Sequence, residues 1–158
     1  MGALAQTPDI HYIPTRDAIV KAMLELARVT PGDVVYDLGS GDGRIVIEAA
    51  KTHGARGVGV ELDADLIRQS VKNAHKAGVA DKVTFVQGDL FKTDLSEATV
   101  VTLFLSPSIN ARLQPKLLRE LKPGARVVSQ RFGMPRDWKP DQEITAQWGI
   151  PVFLWTIR

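Results

Sequence analysis

The stretch Val34-Val35-Tyr36-Asp37-Leu38-Gly39-Ser40-Gly41-Asp42-Gly43-Arg44-Ile45-Val46 decides the fold. Its short apolar run predicts a buried strand over 34–38. Glycines at 39, 41 and 43 then predict a tight loop whose backbone a ligand can approach closely. Ile45, Val46, Ile47, Ala49 and Ala50 mark a helix, which Gly54 ends. The unit is strand, glycine loop, helix.

Working outward, the same alternation continues. Thr15 is placed to cap a first helix carrying Ile19, Val20, Met23, Leu24 and Ala27, which Pro31-Gly32 stops. Strands are predicted at 57–61, 83–86, 100–105 and 126–130. A helix capped by Asp63 runs to Gly78, and another spans 108–121, broken or restarted at Pro115. Gly133, Pro135 and Pro140 make 132–141 a loop. The β-rich runs 142–148 and 151–157 then read as a terminal antiparallel pair. Repeated βα units with right-handed crossovers imply an α/β fold. The fold expected is Rossmann-like and doubly wound, a mostly parallel seven-stranded sheet with a C-terminal antiparallel pair. Residues 1–14, with two prolines and no periodicity, read as an N-terminal arm, and 15–158 as a single domain.

Composition bounds the function. The 158 residues are 44% hydrophobic and 24% charged, as in a globular domain with a sizeable core. A formal charge of +2, with scattered basic residues, argues against a nucleic-acid partner. No apolar run approaches a membrane span. The absence of cysteine excludes disulfides, thiolate catalysis and Cys-ligated metals, and no histidine spacing suggests a metal site.

In such folds ligands bind at the carboxyl ends of the strands. Those ends are Asp37–Gly43, Glu61, Asp89 and Phe104–Pro107. A dinucleotide loop wants a glycine at 44, where Arg44 stands. Asp37 and Asp42 would repel a pyrophosphate and attract a cationic amino group. S-adenosyl-L-methionine carries an ammonium and a sulfonium and no phosphate, so the acids favour it over NAD. Glu61 lies at the offset where a carboxylate accepts from ribose hydroxyls. Asp89 is placed to accept from an adenine amino group, with Leu62, Leu90 and Phe91 against the ring.

These residues resemble class I, seven-β-strand methyltransferases, from Tyr12 to the end of the chain. The run Asp37–Val46 is similar to the glycine motif of the mitochondrial lysine methyltransferases that act on ATP synthase and on the adenine nucleotide translocase. It is also similar to that of a small archaeal broad-specificity protein-lysine methyltransferase. Tyr12-Ile13-Pro14-Thr15 resembles the family's arm, which closes over the cofactor. Arg131-Phe132, with Trp138 beyond, resembles a segment near its active site. The resemblance implies S-adenosyl-L-methionine as cofactor, S-adenosyl-L-homocysteine as product and protein lysines as substrate. The cofactor site it implies comprises Tyr12, Thr15, Asp37, Leu38, Gly39, Ser40, Gly41, Asp42, Gly43, Glu61, Leu62, Asp89, Leu90 and Phe104. No Asn-Pro-Pro-Tyr-like motif follows the fourth strand, which argues against amide or adenine nitrogens as acceptor.

Methyl transfer to lysine is an in-line displacement needing a neutral amine, whose free pKa is about 10.4. An aromatic channel lowers that value by burial, so no dedicated base is required. The channel candidates are Tyr12, Phe104, Phe132 and Trp138; Phe85, Phe153 and Trp155 are expected in the core. A small-molecule methyltransferase and a non-catalytic S-adenosylmethionine- or nucleotide-binding protein remain the alternatives. The cofactor's place of synthesis makes the cytoplasm the expected compartment. Ala3-Leu4-Ala5 resembles a signal-cleavage site with no apolar segment before it, which leaves an exported parent as the alternative.

Overall fold

The computed structural model describes residues 15–158, so the arm assigned to 1–14, and Tyr12 with it, lies outside the described residues. The elements are α1 (Asp17–Leu26), β1 (Val34–Leu38), α2 (Arg44–His53), β2 (Arg56–Glu61), α3 (Ala64–Lys76) and β3 (Val83–Gln87), followed by β4 (Val100–Leu103), α4 (Pro107–Glu120), β5 (Arg126–Gln130), β6 (Gln142–Thr145) and β7 (Pro151–Thr156). They form one sheet in the order β3-β2-β1-β4-β5-β7-β6. Strands β1 to β5 are parallel, and β7 runs antiparallel to both β5 and β6. This is the fold that the alternation predicts.

Strand parity divides the core in two. Val35, Val83, Val100, Val128 and Leu154 face α1, α2 and Ala74 of α3. Their neighbours Tyr36, Leu38, Val101, Val127 and Trp155 face α4 and its Ile109, Leu113 and Leu117. The chain winds from β1 out to β3 and returns to β4 beside β1. The switch point therefore falls between the carboxyl ends of β1 and β4, where a crevice opens.

The local signals agree with the structure at two points and differ at two. Asp63 caps α3, accepting from the N–H groups of Asp65 and Leu66, and Gly54 ends α2 in the left-handed region. Thr15, however, does not cap α1; Arg16 stands at that position without a side-chain bond. Thr15 is buried instead, and its hydroxyl accepts from Gln130 Nε2 at 2.8 Å. Nor does Pro115 break α4, which runs unbroken through it. The carbonyl it leaves without a helical donor is that of Ala111, an exposed residue. No helix among the described residues is long and apolar enough to cross a membrane.

Candidate cofactor and acceptor site

The loop after β1 is built from backbone. Its glycines 39, 41 and 43 all have positive φ, at 83°, 57° and 84°, a region that costs a residue with Cβ roughly 1–2 kcal/mol. The N–H groups of Gly39 and Ser40 both donate to Val60 O, at 2.8 and 2.9 Å, which ties the loop to the tip of β2. Gly59 admits the loop from below: a Cβ there would lie 2.7 Å from Ser40 Oγ and 2.8 Å from Phe85 Cδ1. Phe85 also lies under Gly43, where a Cβ would meet its ring at 2.8 Å. Its role as a floor beneath the loop is not legible in the sequence, although glycines at 57 and 59 in one strand are a signal of close approach.

Asp37 sits buried in β1, opposite Thr102 of β4. Thr102 Oγ1 donates to its carboxylate at 2.7 Å. Burial pushes the Asp37 carboxyl up to about 7, and the charges of Glu61 and Asp42 push the same way, against the Thr102 hydrogen bond. A lone threonine inside the apolar run 100–105 is the sequence signal for this partner. Among the described residues no cation pairs with Asp37. A buried acid so placed suits a ligand that brings an ammonium.

Glu61 ends β2 with both oxygens engaged: Oε1 accepts from Gly41 N at 2.9 Å and Oε2 from Asp63 N at 3.0 Å. A carboxylate has about four lone-pair sites, so each oxygen retains capacity for a ribose hydroxyl. Leu62 beside it is 47% exposed, an apolar wall open at the strand tip. Asp89 caps a single 3-10 turn (Leu90–Lys92), accepting from Phe91 N at 2.8 Å through one oxygen.

Several expected contacts go elsewhere. Asp42 faces Arg44, which grips it through two donors at 3.0 and 2.6 Å and also donates to Thr15 O at 3.0 Å. Its charge is thereby offset, and both residues line a groove of about 600 Å³ among α1, α2 and α3. The Asp42 charge still reaches Asp37, whose carboxyl it helps push up. Leu38 and Leu90 are core residues whose side chains are covered by protein. Ser40 seats its side chain over Gly59. Trp138 is also withdrawn from the channel. It packs against Trp155 at 5.7 Å between ring centroids, and its carbonyl accepts from the Trp155 indole at 2.9 Å. Trp155 is opposite Val127, three residues below Gln130, which places this contact about 10 Å below the strand tips.

Phe104 and Phe132 do come together. Their rings stack at 6.5 Å and 13°, at the ends of β4 and β5 beside the switch point. The turn that delivers Phe132 is unusual. Phe132 N donates to Gln130 O at 2.8 Å across Arg131, whose φ is 68°. That is a γ-turn in its rare, strained sense. Phe132 O is held in turn by Ser129 Oγ at 2.7 Å and Asn110 Nδ2 at 3.2 Å. The sequence singles out neither: Asn110 acts from α4 across a tertiary contact, and Ser129, three residues from Phe132, depends on the turn taken at Arg131.

A doubly wound sheet with a positive-φ glycine loop, a buried acid at β1 and a second at the tip of β2 defines a class I S-adenosylmethionine-dependent methyltransferase. The family model described as the ANTKMT methyltransferase domain matches residues 37–142, and the chain belongs to that family. A protein-lysine N-methyltransferase of Saccharolobus islandicus (strain REY15A) is 46% identical, over 92% of this chain and 91% of that protein. The adenine nucleotide translocase lysine N-methyltransferase of Mus musculus is 40% identical over 83% of this chain, which spans only 56% of that protein's length. Among solved structures, an RNA methyltransferase from Salinibacter ruber in complex with S-adenosyl-L-homocysteine superposes with a TM-score of 0.89. It is 59% identical, covering 92% of this chain and 94% of that one. The chain is an S-adenosylmethionine-dependent methyltransferase.

Proposed function

We propose that the enzyme methylates the side-chain amine of lysine in a protein substrate. The observation that carries this reading is the stacked pair Phe104–Phe132 at the mouth of the switch point. Two aromatic faces take the place of water around an amine and favour its neutral, nucleophilic form. The flanking segments Phe104-Leu105-Ser106-Pro107 and Gln130-Arg131-Phe132-Gly133 hold no Asp, Glu or His to serve as a base. A lysine amine, once neutral, needs none. The archaeal and mouse relatives, both named as lysine methyltransferases, support the same acceptor.

The cofactor roles are part of the same proposal. S-adenosylmethionine supplies the methyl group. Asp37 faces its ammonium, Glu61 its ribose, and Asp89 with Leu62 its adenine, while the backbone of Gly39–Gly43 shapes the floor. The channel is Phe104 with Phe132, and Tyr12 remains a candidate for it.

RNA is the second reading, because the Salinibacter protein is named an RNA methyltransferase. Against it stands a charge of only +2. Radiolabelled cofactor offered with lysine peptides and with RNA oligonucleotides separates the two. Label in peptide lysine is expected; label in RNA alone overturns the lysine reading. Asp37→Ala and Glu61→Ala should each weaken cofactor binding in calorimetry, and unchanged affinity in both would remove the site assignment.

A further inference from the structure

Two arginines stand at the rim of this site, each resting on an aromatic ring. Arg131 lies 5.9 Å from the centroid of Phe104, and Arg16 lies 4.5 Å from that of Trp148. Both are exposed, and among the described residues neither makes an ion pair. Hydrogen bonds bring them to one place. Thr15, next to Arg16, accepts from Gln130, next to Arg131. Arg131 N donates at 2.8 Å to Pro151 O, at the start of β7, beside the turn that carries Trp148.

The backbone at this rim is strained. Arg131 has φ 68° and Trp148 has φ 61°, values at which a bulky residue is an outlier. Glycine would fit either position without cost, so the side chains are held there against a local penalty. Strain of this kind clusters at functional sites, and the inference runs from the outlier to the function. Trp148 is 54% exposed, so core packing does not account for it.

We propose that Arg131 and Arg16 select acceptor lysines whose neighbours in the substrate are acidic. The proposal rests on the lysine reading and deepens it. A guanidinium beside the Phe104–Phe132 pair repels an approaching ammonium unless the substrate supplies a compensating carboxylate. Arginine suits that task, since its planar fork matches a carboxylate through two parallel hydrogen bonds. RNA phosphates carry charge of the same sign, but a nucleic-acid surface neutralises many phosphates, and the formal charge of the chain is only +2. Lys116 and Arg119, near the far end of α4 from the site, are already paired with Glu120.

The test uses peptides with one lysine flanked by glutamate, glutamine or lysine, scored by kcat/KM with labelled cofactor. The glutamate-flanked peptide should exceed the glutamine-flanked one by on the order of 10-fold, with the lysine-flanked one lower still, mostly through KM, from roughly 3-fold per guanidinium at 6 Å in water. Arg131→Gln should shrink that preference to roughly 3-fold, the share of Arg16, and Arg131→Glu, whose charge offsets Arg16, should flatten it, with cofactor affinity by calorimetry unchanged in both. In the wild-type enzyme the preference should collapse in 1 M salt, where screening acts over about 3 Å; this holds the idea to account even if a variant misfolds. The same ranking in the wild type and in folded Arg131→Glu, or a preference indifferent to salt, overturns the proposal while leaving lysine as acceptor. Label entering RNA and no peptide overturns the lysine reading and this proposal with it.

Discussion

At the scale of single residues, Asp37, proposed to meet the cofactor's ammonium, lowers the stability of the fold. Its carboxyl is buried and pushed up to about 7, so folding favours its protonated form. A raised carboxyl contributes its stability below the unfolded value, near 3.9, and loses it as pH rises through 7. Above pH 7 the folded protein holds an ionised acid that no described cation pairs with. Asp37→Asn should therefore stabilise the cofactor-free enzyme by on the order of 3 kcal/mol at pH 8, and by little at pH 4. Melting curves at the two pH values measure this. If Asp37 meets the ammonium as proposed, cofactor affinity depends on pH: binding should weaken as pH falls through 7, because the carboxylate is then protonated. Calorimetry should show Asp37→Asn binding weakly at every pH. A variant that binds as tightly as the parent would remove Asp37 from the site.

At the scale of elements, the segment between β5 and β6 divides into two parts with different tasks. Its start, Arg131-Phe132, is pinned by Asn110, Ser129 and Pro151 at the strand tips. Farther on, Trp138 turns down the sheet onto Trp155, whose other neighbour, Phe153, lies 5.9 Å away between ring centroids. Truncating each part should separate the tasks. Phe132→Ala is expected to lower kcat/KM at least 10-fold with a small change in melting temperature, as loss of a group that positions the acceptor. Trp138→Ala is expected to cost about 2 kcal/mol, as removal of a half-buried ring, with kcat/KM per folded enzyme unchanged. Steady-state kinetics beside melting curves read both; activity loss in folded Trp138→Ala would restore that residue to the channel. The sequence cannot separate these two aromatics. Composition places both in a loop rich in glycine and proline, and the partner that claims Trp138 lies 17 residues later, across a sheet. Asp42 misleads for a related reason: its attachment to Arg44 depends on the turn taken at Gly43. Asp63 is legible because a helix cap is decided within four residues.

At the scale of the molecule, the two edges of the sheet carry opposite burdens. The carboxyl edge carries the glycine loop, a buried acid that no described cation pairs with, and the half-buried rings of Phe104 and Phe132. The overall fold is legible because each βα unit repeats one local pattern, whereas the tie that closes the amino edge joins residues too far apart in sequence to be read. There Asp33, buried ahead of β1, accepts from Thr99 Oγ1 at 2.7 Å and Thr30 N at 2.8 Å. Arg126, at the start of β5, pairs with the same carboxylate and donates to the carbonyls of Ala27 and Arg28 at the end of α1. Burial opposes ionisation of Asp33, but the hydrogen bonds from Thr99, Thr30 and Arg126 and the Arg126 charge outweigh it and hold the carboxyl below its ordinary value. A depressed carboxyl stabilises the fold above the unfolded value and loses that contribution as pH falls through the folded one. Arg126→Met removes the cation and leaves the acid buried, a change that costs about 3–5 kcal/mol. For a chain of this size the melting temperature should fall by roughly 10 °C at pH 8. Activity at low temperature should persist, because the site lies at the other edge. At pH 4 the deficit should narrow, since protonating Asp33 removes the stranded charge. Melting curves of both proteins at the two pH values decide the matter: an equal deficit at pH 8 and pH 4 would assign the loss to the severed carbonyl bonds of α1 rather than to the ion pair.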